Sequence, residues 1–245
     1  MDSSPRHLLV PALTLALGLA VGGALVGAGF RAARSSDRYV TVKGAVERDV
    51  EANLALWPLQ LVTAANVLGE AQAESRRRVE LARSFLAENG ITAEQVTVQG
   101  FKVTDTEANP YQSGTTANRY IITQTLMVRS EDPHAVLAAS QRIGDLVDKG
   151  VVLISGEEYG PGGPTFLFTG LNDLKPAMLA EATSRAREAA GEFASASGSR
   201  VGSIRRANQG VFEILPRDPV PGQSEQNQLN KTVRVVATIE YLLEG

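Results

Sequence analysis

A chain of 245 residues with 24 basic and 27 acidic side chains, 43% of it hydrophobic, has the composition of a folded protein and room for one large domain or two small ones. It has no cysteine and only two histidines, His7 and His134, which excludes disulfides, thiolate catalysis, Cys-held metals and any mechanism needing a histidine pair inside the domain. Net charge is −3 and the longest basic block is Arg76-Arg77-Arg78, so no nucleic-acid footprint is expected.

The first element follows a short tail, residues 1–7. Leu8 to Phe30 carries no charged residue. As a helix it would reach roughly 34 Å, enough for a bilayer core of ~30 Å. Gly18/Gly22 and Gly23/Gly27 have the spacing at which membrane helices approach closely. The rival reading is a cleaved signal peptide with Val26 and Ala28 as its small-residue site; the length favours an anchor. Arg6 lies before the run and Arg31, Arg34 and Arg38 after it, so charge leaves the orientation open. The short tail makes an inside N-terminus and an exported domain the simpler insertion. Residues 31–38 then link the anchor to a domain over 39–245.

The domain opens on YVTVKGAVERDVEANLALWPLQLV. Val40, Val42 and Val46 share one face of a half-buried strand, Glu47, Arg48 and Asp49 suggest a charged turn, and a second, apolar strand starts at Val50. Leu54, Leu56, Trp57, Leu59 and Leu61 occupy both faces of that strand, as expected where both are covered. Pro58 favours an edge or a bulge. A helix is expected over Asn66–Asn89, with Leu68, Ala71, Ser75, Val79, Ala82 and Leu86 inward and Gly90 ending it. Strands at 95–104 and 118–129 follow, joined by the long polar loop DTEANPYQSGTTA, whose length hints at contact with a partner.

Asp132-Pro133 starts a second helix that should run to Lys149, lined by Val136, Ser140, Ile143 and Val147. Strand-like VVLISGEEY, the turn GPGGP and a short TFLFT come next. A third helix is expected over Leu174–Ser197 with Pro176 in its first turn and Gly198 closing it. RVGSIRRANQGVFEI and KTVRVVATIEYLL are the last strands, joined by a Pro/Gln-rich loop. In the final one Val233, Val235, Ala237, Ile239, Tyr241 and Leu243 should face inward, and Thr232, Arg234, Thr238 and Glu240 outward. Its partner is the preceding strand or the opening one. The sum is an α+β fold: an antiparallel β-sheet with three helices packed on it, a strand pair followed by three helix-plus-strand-pair units, preceded by the membrane helix.

The opening stretch, the helix ending in FLAENGI, QVTVQGF, NPYQ before NRYIITQTLMVRS, and AMLAEATSRAREAAGEFASASGSRVGSI resemble the SIMPL domain family, in family order from Arg38 to Leu243. The resemblance implies an exported or periplasmic protein that forms homo-oligomers; one member is ring- or channel-like, and others are linked to oxidative-stress tolerance. Many relatives carry an acidic residue where this chain has Asn53, so no role is expected of a carboxylate there. The family supplies no catalytic residues.

The residues themselves supply none either. GPGGP at Gly160–Pro164 suits a tight turn better than an anion nest, since no P-loop lysine follows. Glu157 and Glu158 are adjacent in a strand and point to opposite faces. His134 has no second metal ligand in view, there is no GxSxG elbow, and Trp57 suits the core. Arg76–Arg78 suit a solvated face better than a phosphate site. Catalytic, cofactor-binding and metal residues are therefore assigned as none. Two functions remain: an anchored, homo-oligomeric envelope protein that is structural, protective or partner-binding, and a hydrolase or small-ligand domain built from scattered carboxylates and hydroxyls. The first is preferred, so the chain is not expected to be an enzyme.

Overall fold

A computed structural model describes residues 6–35, 38–108, 118–154 and 163–245. The chain divides into two compact units, one of residues 1–46, 177–211 and 235–245, the other of 47–176 and 212–234. Helix α1 (Arg6–Ser35) precedes the domain, and every side chain described in it is exposed. Among the described residues no helix is long and apolar enough to cross a membrane. The side chains of α1 are described without a break only over 13–29.

The strands form two four-stranded sheets where one was expected. Strands β1 (Tyr39–Glu51), β6 (Arg200–Asn208), β7 (Glu213–Pro216) and β8 (Asn230–Glu244) form the first, in the order β1-β8-β6 with β7 also on β8. Strands β3 (Val96–Asp105), β4 (Tyr120–Ser130), β2 (Leu54–Ala65) and β5 (Thr165–Leu167) form the second, in that order. All registered pairings are antiparallel. The opening two strands are thus not a pair; each belongs to a different sheet. The chain changes sheet at Ala52–Asn53 and not in the charged run at 47–49. That run stays in β1 because its outward side chains find partners on β8: Glu47 lies 3.4 Å from Arg234, and Thr232 Oγ1 donates to Asp49 at 2.7 Å.

In the first unit, helix α5 (Leu171–Ala196) turns Met178, Ala182, Ala186, Ala190 and Ala194 inward. Ala186 and Ala190 pack with Val42, Ile239 and Tyr241. Helix α5 begins three residues earlier than the pattern suggested, which puts Pro176 in its second turn. Strand β8 alternates as expected, with Val233, Val235, Ala237, Ile239 and Tyr241 at most 2% exposed and Leu243 half-buried. It lies between both expected partners. The expected single strand from Arg200 to Ile214 is two, β6 and β7, interrupted at Gly210, whose φ of 73° breaks an extended run.

In the second unit, α2 (Leu68–Glu88) covers β2 and β4. Its buried stripe is the predicted one with Phe85 added and Leu68 left at the surface. At its end Gly90 takes φ 81° and the Ile91 N–H returns to Leu86 O at 2.9 Å. The second predicted helix is two, α3 (Pro133–Gln141) and α4 (Gly144–Asp148). Asp132 caps α3, its carboxylate accepting from Ala135 N–H at 3.1 Å. The break at Arg142–Ile143 shifts the inward face, so Ala139 and Leu146 are buried in place of Ser140 and Val147. Beyond Leu54, strand β2 is buried on one face only: Ala55, Trp57, Leu59, Leu61 and Thr63 are covered, and their neighbours Leu56, Gln60 and Val62 are half-exposed. Pro58 sits in the gap between β5, which pairs with residues 54–56, and the bridge Leu61–Leu153. Val62 N–H and Gln60 O both bond toward that bridge, so Pro58, of the same parity, owes no hydrogen bond to β4.

Candidate functional site

The sequence candidates within the described residues make separate contacts. Trp57 is 3% exposed in the core of the second unit, among Leu59, Leu126 and Val128. Asn53 is occupied at the sheet change: its Oδ1 accepts from the Thr169 N–H at 2.9 Å and its Nδ2 donates to Thr169 Oγ1 at 2.9 Å. An amide serves here where a carboxylate would lack the donor. His134 is exposed, as expected, but it has a partner that the sequence did not suggest: its Nε2 lies 2.7 Å from Glu51. No serine hydroxyl bonds to it among the described contacts. Glu157, Glu158 and residues 160–162 of GPGGP lie outside the described residues, as do residues 109–117 of the polar loop. The described ends of that loop are tied together by Arg119, which lies 3.0 Å from Asp105 and 2.9 Å from Glu107.

The triple arginine separates into two roles. Arg77 and Arg78 both bond Glu74, at 2.8 and 2.9 Å. Their hydrogen bonds, Arg77 first, hold the Glu74 carboxyl down to about 2. Arg76 instead lines a groove of about 260 Å³ between α2 and β3, with Gln72, Ser75, Phe101 and Gln124. Within it Ser75 Oγ donates to Gln124 Oε1 at 3.2 Å.

A larger cavity, about 580 Å³, opens on the other face of the same sheet, the one α2 does not cover. Its lining includes the apolar Leu56 and Met127, the donors Gln95, Gln99 and Arg129, and the carboxylates Glu94 and Glu131. Its charges are mixed and its carboxylates hold no metal geometry; among the described residues no group of three or more His, Asp or Glu is placed to bind an ion. The arrangement suits binding of a polar ligand or chain.

One buried cation escaped the sequence reading. Lys231 on β8 is 1% exposed, and its ammonium donates to the Glu225 carbonyl. Burial pushes its pKa down, and the Glu225 carboxylate partly opposes this. The signal was present: extending the alternation of Val233 and Val235 by one step places residue 231 inward.

No curated protein matches the chain. Among solved structures, the regulatory subunit of aspartate kinase from Thermus flavus aligns at 15% identity over 82% of this chain and 89% of that one, with a TM-score of 0.18, too low to relate the folds. The family model for SIMPL, described as a protein of unknown function (DUF541), matches residues 40–241, nearly the whole domain. On that match, the chain belongs to the SIMPL family.

Proposed function

We propose that this chain is an envelope protein that works by self-association and partner binding. It is held in the cytoplasmic membrane by a single span at residues 8–30, its domain lies on the extracytoplasmic side, and its role is structural or protective under envelope or oxidative stress. The observation that carries the binding role is that two long strands, β1 and β3, have no strand on their outer side among the described residues. Strands β1 and β3 each end a sheet, and β1 runs for 13 residues. A strand edge with no neighbouring strand is a template for another chain. The anchor rests on the charge-free run Leu8–Phe30, and self-association on the family resemblance together with the β1 edge. Full-length protein in native membranes tests both. Carbonate washing should leave it in the pellet with residues 1–30 intact, and sedimentation in mild detergent should give a defined oligomer. A soluble product beginning near Gly29, or a monomer, overturns the corresponding half.

The second reading, a small-ligand domain or hydrolase, is favoured by the cavity of about 580 Å³, whose lining includes Arg129, Glu94 and Glu131. A monomer whose Arg129→Ala variant loses affinity for a small polar ligand would support it over the first.

A further inference from the structure

We propose that the groove between α2 and the outer edge of β3 binds an extended, acidic segment of a partner protein, which adds to β3 as a further strand. The proposal names the chemistry of the partner and rests only on the partner-binding part of the function above. Three independent features converge on it.

The first is backbone. Strand β3 ends its sheet, and among the described residues nothing pairs with its outer side. The second is apolar surface. Val98 and Val103 stand opposite Leu126 and Ile122, which are fully buried on the α2 side, so β3 turns these valines and Phe101 toward α2 as well. Helix α2 packs on β2 and β4, however, and leaves Val98, Phe101 and Val103 48%, 56% and 41% exposed. The bare strip lies on an edge strand with a helix alongside, a geometry in which an added strand is covered on one face as it pairs. The third is charge. Arg77 and Arg78 are held by Glu74, whereas Arg76 has no described ion pair and, among the described residues, no carboxylate lines the groove. Ser75 occupies the Gln124 oxygen, which leaves the amide N–H groups of Gln124 as further donors.

Together these ask for an extended backbone, alternate apolar side chains to cover Phe101 and the valines, and a carboxylate for Arg76. A small anion would satisfy Arg76 and leave the strip bare. A second copy would bring the same basic groove, so charge favours an acidic partner of different sequence.

The test uses full-length protein in mild detergent and a fluorescein-labelled peptide alternating valine or threonine with glutamate. Controls are the same peptide with lysine for glutamate, and with alternate backbone amides N-methylated. The acidic peptide should bind, Arg76→Glu should weaken it by about tenfold and favour the lysine peptide instead, and N-methylation should abolish binding. Arg76 and Phe101 are surface residues, and circular dichroism checks that the variants fold. The proposal is overturned if the acidic peptide does not bind, if Arg76→Glu leaves its affinity unchanged, or if the N-methylated peptide binds equally well. It is also overturned if sedimentation shows that wild-type protein self-associates through this edge and Phe101→Ser dissociates it. Anchoring and assembly are read separately, by carbonate washing and oligomer size, so either proposal can fail alone.

Discussion

Gly44 on β1 and Ala182 on α5 meet backbone to backbone: a Cβ on Gly44 would lie 1.8 Å from the Ala182 carbonyl oxygen and 2.8 Å from the Ala186 nitrogen. The alanine stripe of α5 and the glycine of β1 are therefore one device. Small residues on both sides let the helix settle on the strand, and the side chains flanking the contact, Val42 and Ile239, fill the space beside it.

Gly44→Ala should destabilise the protein by about 3 kcal/mol or more, because the clash is with backbone that cannot rotate away. Gly191→Ala, in the same helix with open space around it, should instead stabilise by about 0.5–1 kcal/mol by helix propensity. Urea melts of the two variants check this. Similar small effects from both would show that α5 sits further from β1.

Ile239 is 2% exposed on the inward face of β8, whereas Thr238 on the other face is half-buried and stands opposite Asn208 of β6. Ile239→Asp should cost several kcal/mol, on the order of the whole stability of a domain. Thr238→Asp should cost much less. Thermal melts decide it, and equal losses would mean the register is wrong. A Thr238→Asp protein that folds but no longer assembles would place a subunit contact on that face.

The Glu74 pair gives a pH signature. Its folded pKa of about 2 lies below the ordinary value of 4.5, so its contribution is present above pH 4.5 and lost as pH falls toward 2. The pair is on the surface, so the worth is small, about 0.5 kcal/mol. Glu74→Gln should therefore be slightly less stable than wild type at pH 7, with the difference vanishing by pH 2. Direct titration of the Glu74 carboxyl by NMR tests the cause; a midpoint near 4.5 would remove the arginine pairing.

Lys231 should act in the opposite pH range. Its folded pKa is lowered, so between that value and the ordinary 10.5 the unfolded chain binds the proton more tightly. Stability should rise as pH is raised toward 10.5, and Lys231→Met should remove this rise. Denaturant melts from pH 7 to 10.5 measure it. A wild type and variant of equal slope would show that the ammonium is solvated in the folded state.

Local physics made much of this chain legible without a structure. The 3.6-residue stripe of α2, the cap at Asp132, the turn at Gly90 and the strict alternation of β8 depend on neighbours a few residues apart, and all are present. The family was legible for the same reason, since it rests on the order of such segments. What only tertiary structure decided was which elements share a sheet. Alternation says that β1 and β2 are strands and cannot say that each joins a different sheet, because the choice depends on partners well over a hundred residues away in β8 and about sixty away in β4. The same distance hid the candidate sites. Arg76 is one of three arginines in a row, and only the structure separates it from the two that Glu74 holds; Phe101 is exposed because α2 packs on β2 and β4. Periodicity reports which face a side chain takes; whether anything covers that face is settled by packing between segments remote in sequence.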